Sequence, residues 1–229
     1  TIILTDKTGT LTQAKMDLGQ VRIFAKGYTQ EEALRLSLLN TDIVIENPRD
    51  NHEKWRVIGR PLEVALAKAA AKVGILLPAV KREIETLDYL PFTSKNKYSA
   101  SLTKDGAGYT FQLNVFGAPE ILIRNSDLPE EEKRVLIREV EKMAYDGARV
   151  LGLAVKEIKG GKEISLREKS TFEKLKFIAT ISFRDPVRSG AKEAIAKVEK
   201  AGVRTVIVTG DHRGTAESVA KELGVHVER

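Results

Sequence analysis

The strongest constraint on the fold is a pair of short apolar segments at the two ends of the chain. Thr1-Ile2-Ile3-Leu4-Thr5 runs into Asp6-Lys7-Thr8-Gly9-Thr10, and Val203-Arg204-Thr205-Val206-Ile207-Val208 runs into Thr209-Gly210-Asp211. β-Branched runs of this length, each ending in small polar residues, predict buried strands of a parallel sheet whose carboxyl ends open on a crevice. Residues 187–201, with Ala191, Ile195 and Val198 at helical spacing, and residues 214–223, stopped by Gly224, predict helices around the second strand. That alternation predicts a βαβ-type α/β sheet shared by both ends.

The middle, residues 13–183, has a different grain. Thr29-Gln30-Glu31-Glu32 is a capping box that opens a helix through Leu39, residues 62–73 predict a second helix, and residues 129–145 a third, with Gly147 just past its end. Residues 97–103 and 109–116 flank the turn-rich Lys104-Asp105-Gly106-Ala107-Gly108, and residues 149–158 and 175–183 flank Gly160-Gly161, so both pairs predict antiparallel strands. The expected fold is therefore an α+β module, an antiparallel sheet flanked by helices, inserted into an α/β domain made of residues 1–12 and 184–229.

Composition narrows the chemistry. The 229 residues contain no Cys and three His, which removes disulfides, thiolate nucleophiles and Cys-built metal sites and leaves the work to oxygen and nitrogen groups. Lys and Arg exceed Asp and Glu by 38 to 32, but the signs are interspersed, which predicts a solvated mixed surface and no nucleic-acid partner. The richest apolar stretch, residues 64–80, is broken by Lys68, Lys72 and Pro78, so no membrane span is expected. Thr1 lies inside an apolar run, without the plan of a signal peptide, so the sequence reads as part of something longer.

A carboxylate such as Asp6 at a strand end, followed by hydroxyl and glycine residues, can attack a phosphoryl group while backbone N–H groups and hydroxyls hold the oxygens. The run Asp6-Lys7-Thr8-Gly9-Thr10-Leu11-Thr12 resembles the phosphorylation signature of the P-type ATPases. The resemblance implies that Asp6 accepts the γ-phosphate of ATP, that Lys7 helps neutralise it, and that Asp6 and the Thr8 carbonyl ligate Mg²⁺. Related phosphatases of the haloacid dehalogenase superfamily carry a second Asp two residues after the nucleophile as proton carrier. Thr8 stands there, which implies slow water attack and a persistent aspartyl phosphate. Thr209-Gly210-Asp211-His212 resembles the second phosphate motif of the same family, with Thr209 and Asp211 beside the transferred group. Asp185-Pro186-Val187-Arg188 resembles the segment that re-enters the phosphorylation domain, with Val187 where a second Pro is usual, and implies nucleotide-site roles for Asp185 and Arg188.

The resemblance continues through the middle. Leu90-Pro91-Phe92-Thr93-Ser94-Lys95-Asn96-Lys97 looks like the nucleotide-pocket segment of type II and III pumps, which implies Phe92 stacking on adenine with Lys97 near it. Gly59-Arg60-Pro61-Leu62-Glu63 matches the segment whose Glu accepts from the adenine amino group. Phe116-Gly117-Ala118-Pro119-Glu120 matches a Lys-Gly-Ala-Pro-Glu run, with Phe116 replacing the Lys and removing a positive charge from the pocket. Arg149 matches an Arg that contacts the nucleotide phosphates.

The implied protein is a type II-like cation pump, and this chain its nucleotide-binding domain with part of a haloacid-dehalogenase-like, Rossmannoid phosphorylation domain. The implied ligands are ATP or ADP and Mg²⁺, and the implied partners are the pump's transmembrane and actuator domains at the cytoplasmic face of a membrane. The sequence holds no P-loop, no Gly-x-Gly-x-x-Gly and no Gly-Asp-Gly-x-Asn-Asp run. The expectation is a truncated phosphorylation domain that labels Asp6 poorly. The alternative is a soluble haloacid-dehalogenase-like phosphatase with a large cap domain.

Overall fold

A computed structural model describes residues 1–104, 110–159, 164–211 and 213–227. The first half runs β1 (Ile2–Asp6), β2 (Asp17–Ile23), α1 (Gln30–Leu38), β3 (Val44–Ile45), β4 (Val57–Ile58), α2 (Pro61–Lys72), α3 (Leu77–Glu83) and β5 (Glu85–Leu90). It continues through β6 (Tyr98–Lys104), β7 (Thr110–Gly117), α4 (Pro119–Arg124), α5 (Glu130–Tyr145), β8 (Arg149–Lys159) and β9 (Lys176–Arg184). The chain then adds α6 (Ala191–Lys200), β10 (Arg204–Val208) and α7 (Arg213–Leu223).

Six strands form one antiparallel sheet in the order β2-β9-β8-β7-β6-β5. The period-two alternation of strand side chains divides its apolar residues between two faces. On β8, Leu153 and Val155 join the cluster beneath α1, α2 and α3, with Leu38, Leu66 and Val80. Ala154, between them, joins the opposite cluster beneath α4 and α5, with Leu122, Ile123 and Val140. The result is helix, sheet and helix in three layers. Thr29 caps α1 by accepting from the Glu32 N–H, as the capping box predicts.

The paired segments expected at the chain ends are parallel strands, with Asp6 opposite Val208. The expectation that they are buried is corrected: Ile2 is 59% exposed, Leu4 70% and Val208 53%. Among the described residues β1 and β10 pair only with each other, and the cluster of Leu11, Ile195, Val219 and Leu223 covers one side. Helix α6 starts at Ala191, later than the pattern at 187 suggested. Val187 is held in a bridge to Thr12, and the left-handed Gly190 (φ +83°) must turn the chain first. The expected turns at Asp105-Gly106-Ala107-Gly108 and Gly160-Gly161 lie outside the described residues, though the strands flanking them pair as predicted.

One glycine is fixed by close approach. A Cβ on Gly117 would stand 2.4 Å from both the Lys97 carbonyl oxygen and the Tyr98 Cα, while the Ala118 N–H donates to that same carbonyl at 2.8 Å. Backbone on both sides leaves nothing flexible to yield. Gly117→Ala is expected to cost about 3 kcal/mol of unfolding free energy. Urea titration checks this, and a loss under about 0.5 kcal/mol would show that the approach is not rigid.

Candidate functional site

The structure brings the candidate residues together in two groups. The first forms where β1 and β10 end side by side. Beyond Asp6, whose backbone is still extended (φ −74°, ψ 148°), residues 7–11 coil tightly through Gly9 at φ +79°, and the Thr12 N–H closes the coil on the Lys7 carbonyl at 3.0 Å. Lys7 is buried and pairs with Asp211, the arrangement a buried ammonium requires. Thr209 Oγ1 accepts from the Asp211 N–H at 3.2 Å, which fixes the second strand end. Lys7, Thr8, Asp185, Gly210 and Asp211 line a cleft of about 640 Å³, and Arg149, Pro119 and Glu120 of the antiparallel module line its other wall. One cleft therefore draws on both parts of the chain.

Asp185 and Arg188, expected to meet a nucleotide, have other work. Asp185 Oδ2 accepts from the Thr12 hydroxyl at 2.6 Å and its Oδ1 from the Lys15 N–H at 3.2 Å. Arg188 donates from Nε to the Thr12 carbonyl at 3.0 Å and from Nη2 to the Gly9 carbonyl at 2.7 Å. Both therefore brace the turn after Asp6 and the chain leading from it. A motif gives no direction for a side chain, so these contacts are visible only in the fold.

The second group lies at the start of α2 and the end of β5. Glu63, one turn into α2, has a side chain only 7% exposed; Oε1 pairs with Arg60, and Oε2 is buried with no partner among the described residues. Arg60 also lies 4.4 Å from the centroid of the Phe92 ring and 4.0 Å from Asp42. Phe92 is 38% exposed, unusual for a large apolar ring and consistent with a stacking surface. Tyr89 buries its hydroxyl here, facing the Asp42 carboxylate. Burial first, then the Asp42 carboxylate beside it, raise its pKa far above the ordinary tyrosine value of 10.0.

Lys97 is exposed, in a left-handed conformation (φ +60°), with its carbonyl tied to Ala118. Gly117 answers to that approach of its own chain. Phe116 is corrected: it is 3% exposed and packs in the core with Leu153 and Phe183, so it presents no free face to a ligand. Its place on β7 turns it to the α1–α2 side of the sheet. Residues 116–120 nevertheless connect the two groups, since Gly117 touches Lys97 and Pro119 and Glu120 line the cleft.

Arg60, Asp42 and Tyr89 were not singled out from sequence. Arg60 stands three residues before Glu63 at a helix start, a spacing that sets side chains face to face and could have flagged it. Tyr89 sits on β5, a strand whose mostly polar, exposed sequence gave no apolar alternation. For metal binding, Asp6 and the Thr8 carbonyl offer hard oxygen donors, and among the described residues no group of three or more His, Cys, Asp or Glu clusters.

Residues 29–190 match the family described as P-type ATPase, cytoplasmic domain N. The chain is 31% identical to calcium-transporting ATPase 1 of Bacillus cereus, over 98% of the chain and 26% of that protein. It is 29% identical to cation-transporting ATPase pma1 of Synechocystis, over 100% of the chain and 29% of that protein. It is also 28% identical to putative calcium-transporting ATPase 11, plasma membrane-type, of Arabidopsis thaliana, over 98% of the chain and 24% of that protein. The chain thus spans between 24% and 29% of the length of these relatives. Their names favour the pump reading over the phosphatase alternative.

Tyr89 gives this site a pH signature. The folded chain holds the Tyr89 proton to a higher pH than the unfolded chain does, so rising pH above about 10 favours unfolding. Stability measured between about pH 9 and 12 is expected to fall with pH, and Tyr89→Phe to flatten part of that fall. An unchanged slope in Tyr89→Phe would show that the hydroxyl ionises freely in the fold.

Proposed function

The chain belongs to the P-type ATPases, and on that premise we propose that it binds ATP along the two groups of residues and that, in the complete pump, the γ-phosphoryl group passes to Asp6. The observation that carries this reading is the cleft lined at once by Lys7, Gly210 and Asp211 from the strand ends and by Arg149 from the inserted module. A ligand with an apolar ring at one end and several negative charges at the other suits such a site.

At the ring end, Phe92 offers a face for adenine and Glu63 Oε2 is a buried acceptor for its amino group, and the exposed Lys97 ammonium is assigned to the same nucleotide. An unpartnered buried carboxylate oxygen is costly, and a ligand N–H relieves that cost. At the phosphate end, Arg149 draws the phosphates toward the cleft and Lys7, held by Asp211, places positive charge beside Asp6. An Asp6 carboxylate oxygen attacks the γ-phosphorus, the bond from that phosphorus to the β,γ-bridging oxygen breaks, and ADP leaves. With Thr8 in place of a proton-carrying Asp, no side chain two residues on activates water against the aspartyl phosphate. Mg²⁺, held by the Asp6 carboxylate and the Thr8 carbonyl together with phosphate and water oxygens, would neutralise phosphate charge.

In the complete pump this transfer would drive cation transport, with the chain on the cytoplasmic side. No helix among the described residues is long and apolar enough to cross a membrane. The exposed apolar residues of β1 and Val208 offer a surface for the rest of the phosphorylation domain, and transmembrane and actuator domains complete the assembly. Residues 1–12 and 184–229 on one side, and 13–183 on the other, are the proposed division.

Two measurements test the reading. Phe92→Ala is expected to weaken ATP binding by about 1–3 kcal/mol, roughly 5- to 150-fold in Kd, by calorimetric titration. Unchanged affinity would remove Phe92 from the base site. With labelled ATP and an acid quench, the 229 residues are expected to give little acid-stable label, since they contain no Gly-Asp-Gly-x-Asn-Asp run. Robust label that disappears in Asp6→Asn would show that the groups described here suffice for transfer.

A further inference from the structure

Arg60 already does to Phe92 and Glu63 what an adenine ring would do. Its guanidinium is flat, lies over the Phe92 ring at 4.4 Å from the centroid and donates to Glu63 Oε1. A base stacked on the same ring face, with its amino group at Glu63 Oε2 next to the oxygen that Arg60 holds, needs the space over the ring that the guanidinium fills. The geometry points to Arg60 as a built-in competitor for the purine base, so that nucleotide binding is an exchange of one flat nitrogen donor for another. This inference rests on the assignment of Phe92 and Glu63 to the base.

The surroundings supply what an exchange needs. Asp42 Oδ2 lies 4.0 Å from Arg60 Nη2, the nitrogen that also pairs with Glu63, giving the displaced guanidinium a second carboxylate to turn to. The side chain of Arg60 is 39% exposed, so it has room to swing. While it is in place it also keeps the buried Glu63 carboxylate paired. Apparent affinity is then reduced by the fraction of molecules in which Arg60 has moved aside.

The test is calorimetric titration of the 229-residue chain with ATP. Arg60 precedes α2 and makes no side-chain capping bond there, so its replacement leaves the helix start intact. Arg60→Ala is expected to bind ATP roughly three- to tenfold more tightly. Arg60→Lys, which keeps a charge beside Glu63 but has no flat group to lay on the ring, is expected to fall between. Asp42→Asn is expected to weaken ATP binding when Arg60 is present and to have no effect in Arg60→Ala. Equal or weaker binding by both Arg60→Ala and Arg60→Lys, with Phe92→Ala still weakening it, overturns the exchange and leaves the base assignment standing. If Phe92→Ala and Glu63→Gln both bind ATP as the parent chain does, the base assignment fails and the exchange fails with it.

Discussion

The parallel pairing of β1 with β10 is the contact on which the rest of the site depends. It sets Asp6 beside Val208, so the turn after Asp6 and the Thr209-Gly210-Asp211 run emerge at the same end. Closing a loop of about 200 residues by length alone costs about 5 kcal/mol, more than five ladder pairs of a lone two-stranded sheet readily offset. The inserted module lowers that cost. Its first and last strands, β2 and β9, are neighbours, with Asp17 opposite Arg184, so folding of the six-stranded sheet delivers residues 12 and 187 to the same place. The Thr12–Val187 bridge, the Gln13 N–H bond to the Pro186 carbonyl and the Arg188 N–H bond to the Leu11 carbonyl then zip the two crossings together.

Much of this was legible in the sequence because it rests on local signals. The capping box at Thr29, the apolar spacing of α5 and α7 and the strand pairs at 98–104 with 110–117 each follow from a few consecutive residues. So does the place of Asp6 at the end of a strand, where a β-branched run meets small polar residues. Other features were not legible because they depend on distant partners. β2 carries Gly19 and a register shift, which break its alternation, and β5 exposes most of its side chains. The exposure of β1 could not be read from its apolar residues, since burial is set by what packs on a strand. Asp185 and Arg188 act through a hydroxyl, an N–H and carbonyls some 170–180 positions away, which no local signal reveals.

The two halves of the site use burial differently. At the strand ends, the buried ammonium of Lys7 finds its carboxylate within the protein, and the turn beside it is held by backbone and Arg188. That part is preorganised, as groups meeting developing charge need to be. At the ring end, Glu63 Oε2 is buried without a partner among the described residues, and the Arg60 guanidinium is divided among Phe92, Glu63 and Asp42. Rigid positioning thus sits where bonds would be made, and adjustable polar contacts where a molecule would be recognised.

The open sheet of β1 and β10 has a colloidal consequence. Parallel strands normally lie covered on both faces, yet here Ile2, Leu4 and Val208 meet solvent, and each strand has one edge whose backbone groups face no third strand among the described residues. A bare edge beside an apolar stripe is a template for another copy of itself. Handled alone at high concentration, these residues would stack edge to edge, and a single charge introduced at Leu4 would act as a gatekeeper against that stacking.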